Sequence, residues 1–400
     1  MEGNIIVENK YVRYFCYAML FELFLLGSGQ DLPLGGGLTL RWLNYFIGVG
    51  ASIYMFVRSN DFPKSILTFI LVYTIQMLIG WMMAFIFDSE MDYLMSDFKP
   101  LLYFYIVLFF YYMMTSKLMI KRVVDILLLC VKIMTVLYLI YMTLTDVLGL
   151  FSMTGENYHT VNDSGSFMFR GIGSSFFYKG FVYLPIGAVG FFWRKQYVWM
   201  ALSIFAIYFT YTRGLYVLLA FGLLAFYLKT REVNIFKIVG LMLVVLLLYE
   251  VAEMFEIFQF DDTFTENREE SDSVRLITID QVFERITWWS LLIGHGFGQG
   301  VPQRSSHMEI SYLDIFHHQG LFGLSFWVAL FIAILKYGNS VAEKYKEEAA
   351  FFMTAAMMIF LQSCFNPYIN NSIGMSITLL AFVICYRLSQ DEYFTSRSTV

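Results

Sequence analysis

Residues 65–87 read SILTFILVYTIQMLIGWMMAFIF, an apolar run without one charged side chain. About 20 such residues, wound as a helix, cross the ~30 Å hydrocarbon layer of a bilayer. The reading extends in both directions. Comparable runs lie near 11–27, 38–57, 98–115, 123–148 and 176–193, and again near 197–211, 213–229, 235–257, 320–336, 349–365 and 372–388. With 65–87 this predicts an all-α polytopic membrane protein of about 12 transmembrane helices, forming one integral membrane domain over 1–400. The composition agrees: of 400 residues 58% are hydrophobic and 15% charged, and the mean hydropathy is +0.61. A soluble globular domain is excluded. The formal charge of -5 says little, because the positions of the charges matter more than their sum. Cys16, Cys130, Cys364 and Cys385 all fall in apolar runs, so neither a disulfide framework nor a thiolate zinc site is implied. The first run lacks a small-residue cleavage site and flows into the next span, so it is expected to be retained.

Lysine and arginine accumulate on the cytoplasmic side of membrane proteins. Lys10, Arg13, Arg58, Lys64, Lys117, Lys121, Arg122, Arg194 and Lys195 occupy the N-terminal segment or alternate loops. Lys229, Arg231, Lys237, Lys336, Lys344, Lys346, Arg387 and Arg397 continue the alternation. Both termini are therefore expected inside. The exceptions left outside are Arg41, Lys99, Arg170, Lys179, Arg213, Arg268, Arg275, Arg285 and Arg304, mostly arginine, together with all five histidines (His159, His295, His307, His317, His318). A guanidinium is a planar fork suited to bidentate phosphate binding, whereas an ammonium is a hydrated point charge. The outer arginines thus suggest an anionic ligand on that face; the plainer reading pairs them with Asp261, Asp262, Glu266, Glu269 and Glu270.

The largest outer loop, 258–319 between spans nine and ten, concentrates polar chemistry, and 149–176 forms a second, smaller one. From Val274 a surface helix is predicted, with Leu276, Ile279, Phe283 and Ile286 at helical spacing as its apolar face. Arg275, Thr278 and Arg285 fall away from that face, so both arginines could address one ligand; otherwise they touch lipid headgroups. Gly294, Gly296, Gly298 and Gly300 alternate through GHGFGQG, without the strand-turn-helix of a dinucleotide fingerprint. They permit close approach of backbone to a substrate, or simply a flexible loop. His307 and Glu309 each suit a general base. Asp314 and His318, at i,i+4, with His317 nearby, are compatible with a metal, but no third ligand is evident and none is expected.

Arg213, in YTRGLY, sits in a very short outer turn, where a charge so near hydrocarbon is costly unless paired or functional. Arg170 and Lys179 flank RGIGSSFFYKG as weaker candidates, and Trp288, Trp289 and Tyr312 offer flat surfaces for a substrate or for the membrane edge. Asp31 reads as a turn residue before it reads as a base or metal ligand. Glu22, Asp125 and Lys132, near span ends, mark either a transport path or snorkelling and a structural ion pair.

These residues resemble the O-antigen polymerase and ligase superfamily, which acts on lipid-linked sugars. Three elements carry the resemblance. TRGLY at Arg213 is similar to the family's Ser-Arg-Gly; VRLITIDQVF at Arg275, followed by LLIGHGFGQG, matches its loop helix and glycine turn. Glu309 stands eleven residues before the Gly320-x-x-Gly323 that opens the next span, with His307 two residues earlier. The ligase pattern of His-Asn is Met308-Glu309 here, which shifts weight toward the repeat-unit polymerases. The resemblance implies a helical fold like the class C membrane glycosyltransferases and an inverting, metal-independent, cofactor-free glycosyltransferase in the bacterial inner membrane. Its donor and acceptor would be undecaprenyl-diphosphate-linked oligosaccharides, joined on the outer face into O-antigen, capsule or exopolysaccharide, with a chain-length regulator as a candidate partner and no nucleic acid. Arg275, Arg213 and Arg285 would neutralise the diphosphate, and Glu309 or His307 would deprotonate the acceptor. A ligase shares nearly all these features. A flippase would place its decisive polar groups at midplane rather than in outer loops.

Overall fold

The computed structural model describes residues 10–27, 32–35, 38–58, 63–150, 167–169, 175–230 and 262–390. The ninth predicted span (235–257), Asp31, His159 and Arg170 lie outside them. The chain is mostly helical. In order it forms α1 (Lys10–Leu25), α2 (Leu40–Arg58), α3 (Lys64–Ile86), α4 (Met91–Leu101), α5 (Val107–Met113) and α6 (Lys117–Met142). Then follow α7 (Tyr183–Trp193), α8 (Tyr197–Phe209), α9 (Arg213–Thr230), α10 (Asp262–Glu284), α11 (Ser290–Ile293), α12 (Ser311–Asn339), α13 (Lys346–Gln362) and α14 (Ser372–Ser389). Two small antiparallel strand pairs decorate the loops: β1 (Pro33–Gly35) with β2 (Leu38–Thr39), and β3 (Phe167–Phe169) with β4 (Phe176–Tyr178).

The predicted spans inside the described residues overlie helix for most of their length, except that 176–193 begins on β4 and becomes α-helical only at Tyr183. Six stretches are long and apolar enough to cross a membrane by length and composition: Lys64–Ile86, Met91–Met113, Lys117–Val147, Arg213–Thr230, Ser311–Asn339 and Ser372–Ser389. The chain is a multi-pass membrane protein. Along α3, Leu71, Ile75, Leu78, Met82 and Phe85 recur at helical spacing and are all exposed. Such a stripe fits lipid rather than water.

At the centre stands α14, which is buried along nearly its whole length. Asn371 caps it, its side chain accepting from the N–H groups of Ile373 at 2.9 Å and Gly374 at 3.2 Å. Ser116 does the same for α6 through Met119 N–H at 3.2 Å. Helices α5, α12 and α13 pack around α14.

The predicted span near 98–115 proves to be three pieces, because Pro100 removes a backbone donor and clashes with the preceding turn. Helix α4 gives way to a 3₁₀ turn, Leu102–Ile106, before α5 resumes. Backbone groups freed within a membrane need internal partners. Tyr73 on α3 donates its hydroxyl to Leu101 O at 2.9 Å, and Tyr45 on α2 donates to Leu102 O at 2.8 Å. Tyr73 also stacks on Phe104 with ring centroids 4.1 Å apart, which locks the break in place.

Segments that charge alternation assigned to one side meet at one end of the bundle. Ser65 Oγ lies 2.8 Å from Tyr337 Oη, Lys229 Nζ donates to Asn339 Oδ1 at 2.9 Å, and Trp193 Nε1 donates to Glu347 Oε2 at 3.0 Å. The α3–α4 turn, the loop after α10 and the α13–α14 connection gather at the opposite end, where the candidate site is built.

Glu22 and Arg41 form a buried pair rather than an open path. Arg41 Nε donates to Glu22 Oε1 at 2.9 Å, and its Nη1 donates to Gly27 O at 2.6 Å, closing the end of α1. Lys132 stands 5.0 Å over the Trp199 ring, and Arg122 is 3.6 Å from Asp125.

Candidate active site

Helix α12 carries a break at Gly320, whose φ of 63° and ψ of -160° are not helical. The break withdraws the partners that the carbonyls of His317 and His318 would find one turn on. The glycine-rich loop supplies replacements: His295 N–H donates to His317 O at 2.8 Å and Gly296 N–H to His318 O at 3.0 Å. The loop then crosses to α3 and α4, where Phe297 N–H donates to Gly80 O at 3.3 Å and Gly298 N–H to Asp97 Oδ2 at 2.8 Å. A Cβ on Gly294, at φ 75°, would stand 2.2 Å from the His318 carbonyl carbon, so only glycine fits. Gly296, Gly298 and Gly300 likewise approach backbone of the protein itself, at Ala84, Leu94 and Ser305. The close approach of this run is made to backbone of the chain itself.

Above the loop lies α10. Its inward face is Thr278 and Val282, both buried, with Arg275 half-buried beside them. The predicted apolar face lies on the other side, with Leu276 and Phe283 exposed. Val282 packs on Val301 and Met308, which seats Arg275 over the segment that follows. That segment turns tightly at Val301–Arg304, with Val301 N–H donating to Arg304 O at 2.7 Å and Arg304 N–H to Val301 O at 2.9 Å. The turn aims Arg304 back at Glu309.

Two guanidiniums consequently converge on one carboxylate. Arg275 Nε donates to Glu309 Oε2 at 2.7 Å, and Arg304 Nη2 donates to Glu309 Oε1 at 2.5 Å. Arg275, Thr278, Arg304, Met308, Glu309 and Leu313 line a cleft there. Arg304 appears in the sequence only as one outer arginine among several. Its signal was its place five residues before Glu309, which has meaning only once the intervening turn is known.

A second charged group lies beneath. His318 Nε2 is 3.1 Å from Asp97 Oδ2, and its Nδ1 is 3.5 Å from Asp314 Oδ1. Asp314 also accepts from Met308 N–H at 3.0 Å and from Asn370 Nδ2 at 2.7 Å, while Ser311 Oγ donates to Asn370 Oδ1 at 3.1 Å. Asp97, Asp314, His318 and Asn370 are all buried. The third group missing beside Asp314 and His318 is therefore Asp97, but the two acids approach opposite nitrogens of one ring. They do not converge on a point where an ion could sit. His307 stands at the rim of this group, its Nδ1 3.3 Å from Asp97 Oδ1 and its Nε2 3.1 Å from Ser96 Oγ.

The remaining candidates are dispersed. Arg285 donates through Nη1 to Gly300 O rather than joining Arg275. Its own carbonyl faces His295 Nε2 at 3.0 Å, and burial, the largest influence on that ring, lowers the His295 pKa against the help of this bond. Arg213 opens α9, exposed, next to Gly214, whose nearest neighbour is Gln362 at the end of α13. The backbone of Lys179 accepts from Tyr368 Oη at 3.2 Å, and Tyr312 donates its hydroxyl to Phe360 O at 2.8 Å. Trp288 is exposed, while Trp289 stacks on Phe87 at 5.1 Å.

No family model matches the chain. A curated relative does: an O-antigen polymerase of Shigella flexneri is 23% identical over 399 residues, covering 97% of this chain and 92% of the relative. The chain is similar to this O-antigen polymerase along nearly the whole of both lengths. A match of that extent takes in the membrane helices as well as the loop, so the similarity rests on the whole architecture rather than on the arginine and glycine motifs alone.

Proposed function

We propose that this chain is a polysaccharide repeat-unit polymerase: an inverting, metal-independent glycosyltransferase that joins undecaprenyl-diphosphate-linked oligosaccharides on the outer face of the bacterial inner membrane. The convergence of Arg275 and Arg304 on one carboxylate, at 2.7 and 2.5 Å, carries the reading. Two planar donors aimed at a single anionic position suit a diphosphate, which presents the same kind of oxygen pair with greater charge.

In the reaction, an acceptor sugar hydroxyl of one repeat unit attacks the anomeric carbon of another from the face opposite its diphosphate. The bond from that carbon to the phosphate oxygen breaks, and the electron pair leaves on the undecaprenyl diphosphate. Arg275 and Arg304 stabilise the charge that develops there, as fixed donors do wherever charge appears in a transition state. Arg213, at the same end of the bundle, is a further candidate for the lipid diphosphate. The acceptor proton passes to a base, and Glu309 and His307, on either side of buried Met308, both stand within this site.

The test is the purified chain in nanodiscs with its lipid-diphosphate-linked repeat unit and a chelator, its products resolved by size. Wild type should give a ladder that disappears with Arg275→Ala. Folded protein that binds the repeat unit but makes no ladder would overturn the polymerase reading in favour of a ligase or a flippase.

A further inference from the structure

Asp97 is the least expected member of the site. It sits on α4, a turn before Pro100, far in sequence from every group it meets. One of its oxygens is fully engaged: Oδ2 accepts from Gly298 N–H at 2.8 Å and lies 3.1 Å from His318 Nε2. The other, Oδ1, is buried and has no hydrogen-bond partner among the described residues; its near polar neighbour is His307 Nδ1 at 3.3 Å. A buried carboxylate oxygen left without a donor is costly. An acid kept there only for packing would place both oxygens on donors.

The geometry points to Asp97 as the positioning residue of the reaction, holding His307 through Nδ1 so that Nε2 serves as the general base. The inference rests on the polymerase activity proposed above. It also divides the two candidate bases: Glu309 is the counter-ion of Arg275 and Arg304, and His307 takes the proton. The side chain of Asp97 is 4% exposed and that of His307 44%, so one end of the pair is anchored and the other meets the site. Oδ1 stands 3.3 Å from Nδ1 with no hydrogen bond yet formed, and closing that gap in the substrate complex would hold the proton on Nδ1 and leave the Nε2 lone pair outward, toward Ser96 Oγ at 3.1 Å. The Ser96 hydroxyl stands where an acceptor hydroxyl would. When the acceptor oxygen bonds to the anomeric carbon, its proton moves to Nε2 and the diphosphate leaves with the electron pair. Asp97 orients the ring and provides the counter-charge for the imidazolium, the role of the acid in a Ser-His-Asp triad.

The test compares Asp97→Asn, His307→Gln and the double variant of the full chain in nanodiscs. Each single change should lower kcat by about 10²-fold or more, the range of general-base catalysis, with KM for the lipid-linked donor within about threefold. The double variant should be no slower than His307→Gln, because Asp97 acts through the ring. Wild-type kcat in either single variant, or losses that multiply in the double, would overturn the inference. Should Asp97→Asn fail to fold, His307→Gln at the exposed rim still decides whether the base is correct. Nitrogen NMR of ¹⁵N-histidine-labelled protein, with the His307 signal assigned by its absence in His307→Gln, gives a reading that needs no activity. The proton should reside on Nδ1 in wild type, and Nε2–H would overturn the inference. A missing ladder with the Nδ1–H tautomer present would instead sink the polymerase reading alone.

Discussion

Arg304 Nη2 and Glu309 Oε1 lie 2.5 Å apart, brought together by a turn that leaves only four residues between them, while Arg275 closes on the other oxygen from α10. An anion of the protein thus occupies the position that the proposed substrate's diphosphate needs. Binding must displace it.

Glu309→Gln is therefore expected to bind inorganic pyrophosphate more tightly than wild type. Both partners are about one-third exposed, so the effect should be modest, roughly three- to tenfold as for a solvent-screened ion pair, and should shrink at high salt. Calorimetric titration at two salt concentrations measures it. The same variant should keep polymerising within about tenfold of wild type if His307 is the base; a lost ladder would return that role to Glu309.

Arg304 and Arg285 separate sharply. Losing one preorganised charged donor at a reacting centre costs about 10²–10³ in turnover, and Arg304→Ala should show that loss, as Arg275→Ala does. Arg285 donates instead to Gly300 O on the outside of the turn. Arg285→Ala should leave turnover within about threefold, since an exposed hydrogen bond to backbone contributes only ~1 kcal/mol. Equal losses in the two variants would move Arg285 back into the diphosphate site.

Much of the helical framework was legible because apolar runs report their own length; even the crowded pair at 197–229 divides at Thr210–Thr212, between α8 and α9. What hydropathy left open was what the polar side of the surface helix meets. Leu276 and Phe283 of its apolar face are exposed, and the polar Thr278 on the other side is the buried one, its hydroxyl satisfied by Val274 O at 2.7 Å. Asp97 was invisible for another reason. Its partners come from α12 and from the glycine loop, and nothing local distinguishes it from Asp92 on the same helix. The loop residues Arg275, His307 and Glu309 stood out because charge is scarce in such a chain.

Glu22 and Arg41 give a stability prediction independent of chemistry. The pair is buried, and Arg41 also holds the carbonyls of Gly27 at 2.6 Å and of Glu22 and Leu23 at 3.3 Å. Removing one member of a buried pair strands the other and costs ~3–5 kcal/mol, whereas replacing both by apolar groups is often neutral. Arg41→Met should lower the thermal midpoint in detergent by many degrees, and Glu22→Gln combined with Arg41→Met should recover only part, because the carbonyls stay unserved. Full recovery would mean that closing the end of α1 contributes nothing.

His295 sets an acid limit. Burial holds its pKa below the ordinary value of 6.5, despite the bonds to the carbonyls of Arg285 and His317. The unfolded chain therefore takes up a proton at a higher pH than the folded one. By linkage, the contribution of the neutral ring is fully present above the unfolded pKa and is lost as pH falls through the folded one. Half-exposed as the ring is, the effect should be small. Between pH 7.5 and 5 the thermal midpoint of wild type should fall by a few degrees more than that of His295→Gln, whose amide can still donate to the Arg285 carbonyl without titrating. Parallel curves for the two proteins would show that the acid sensitivity arises elsewhere, with the buried group around Asp97 and His318 the next to examine.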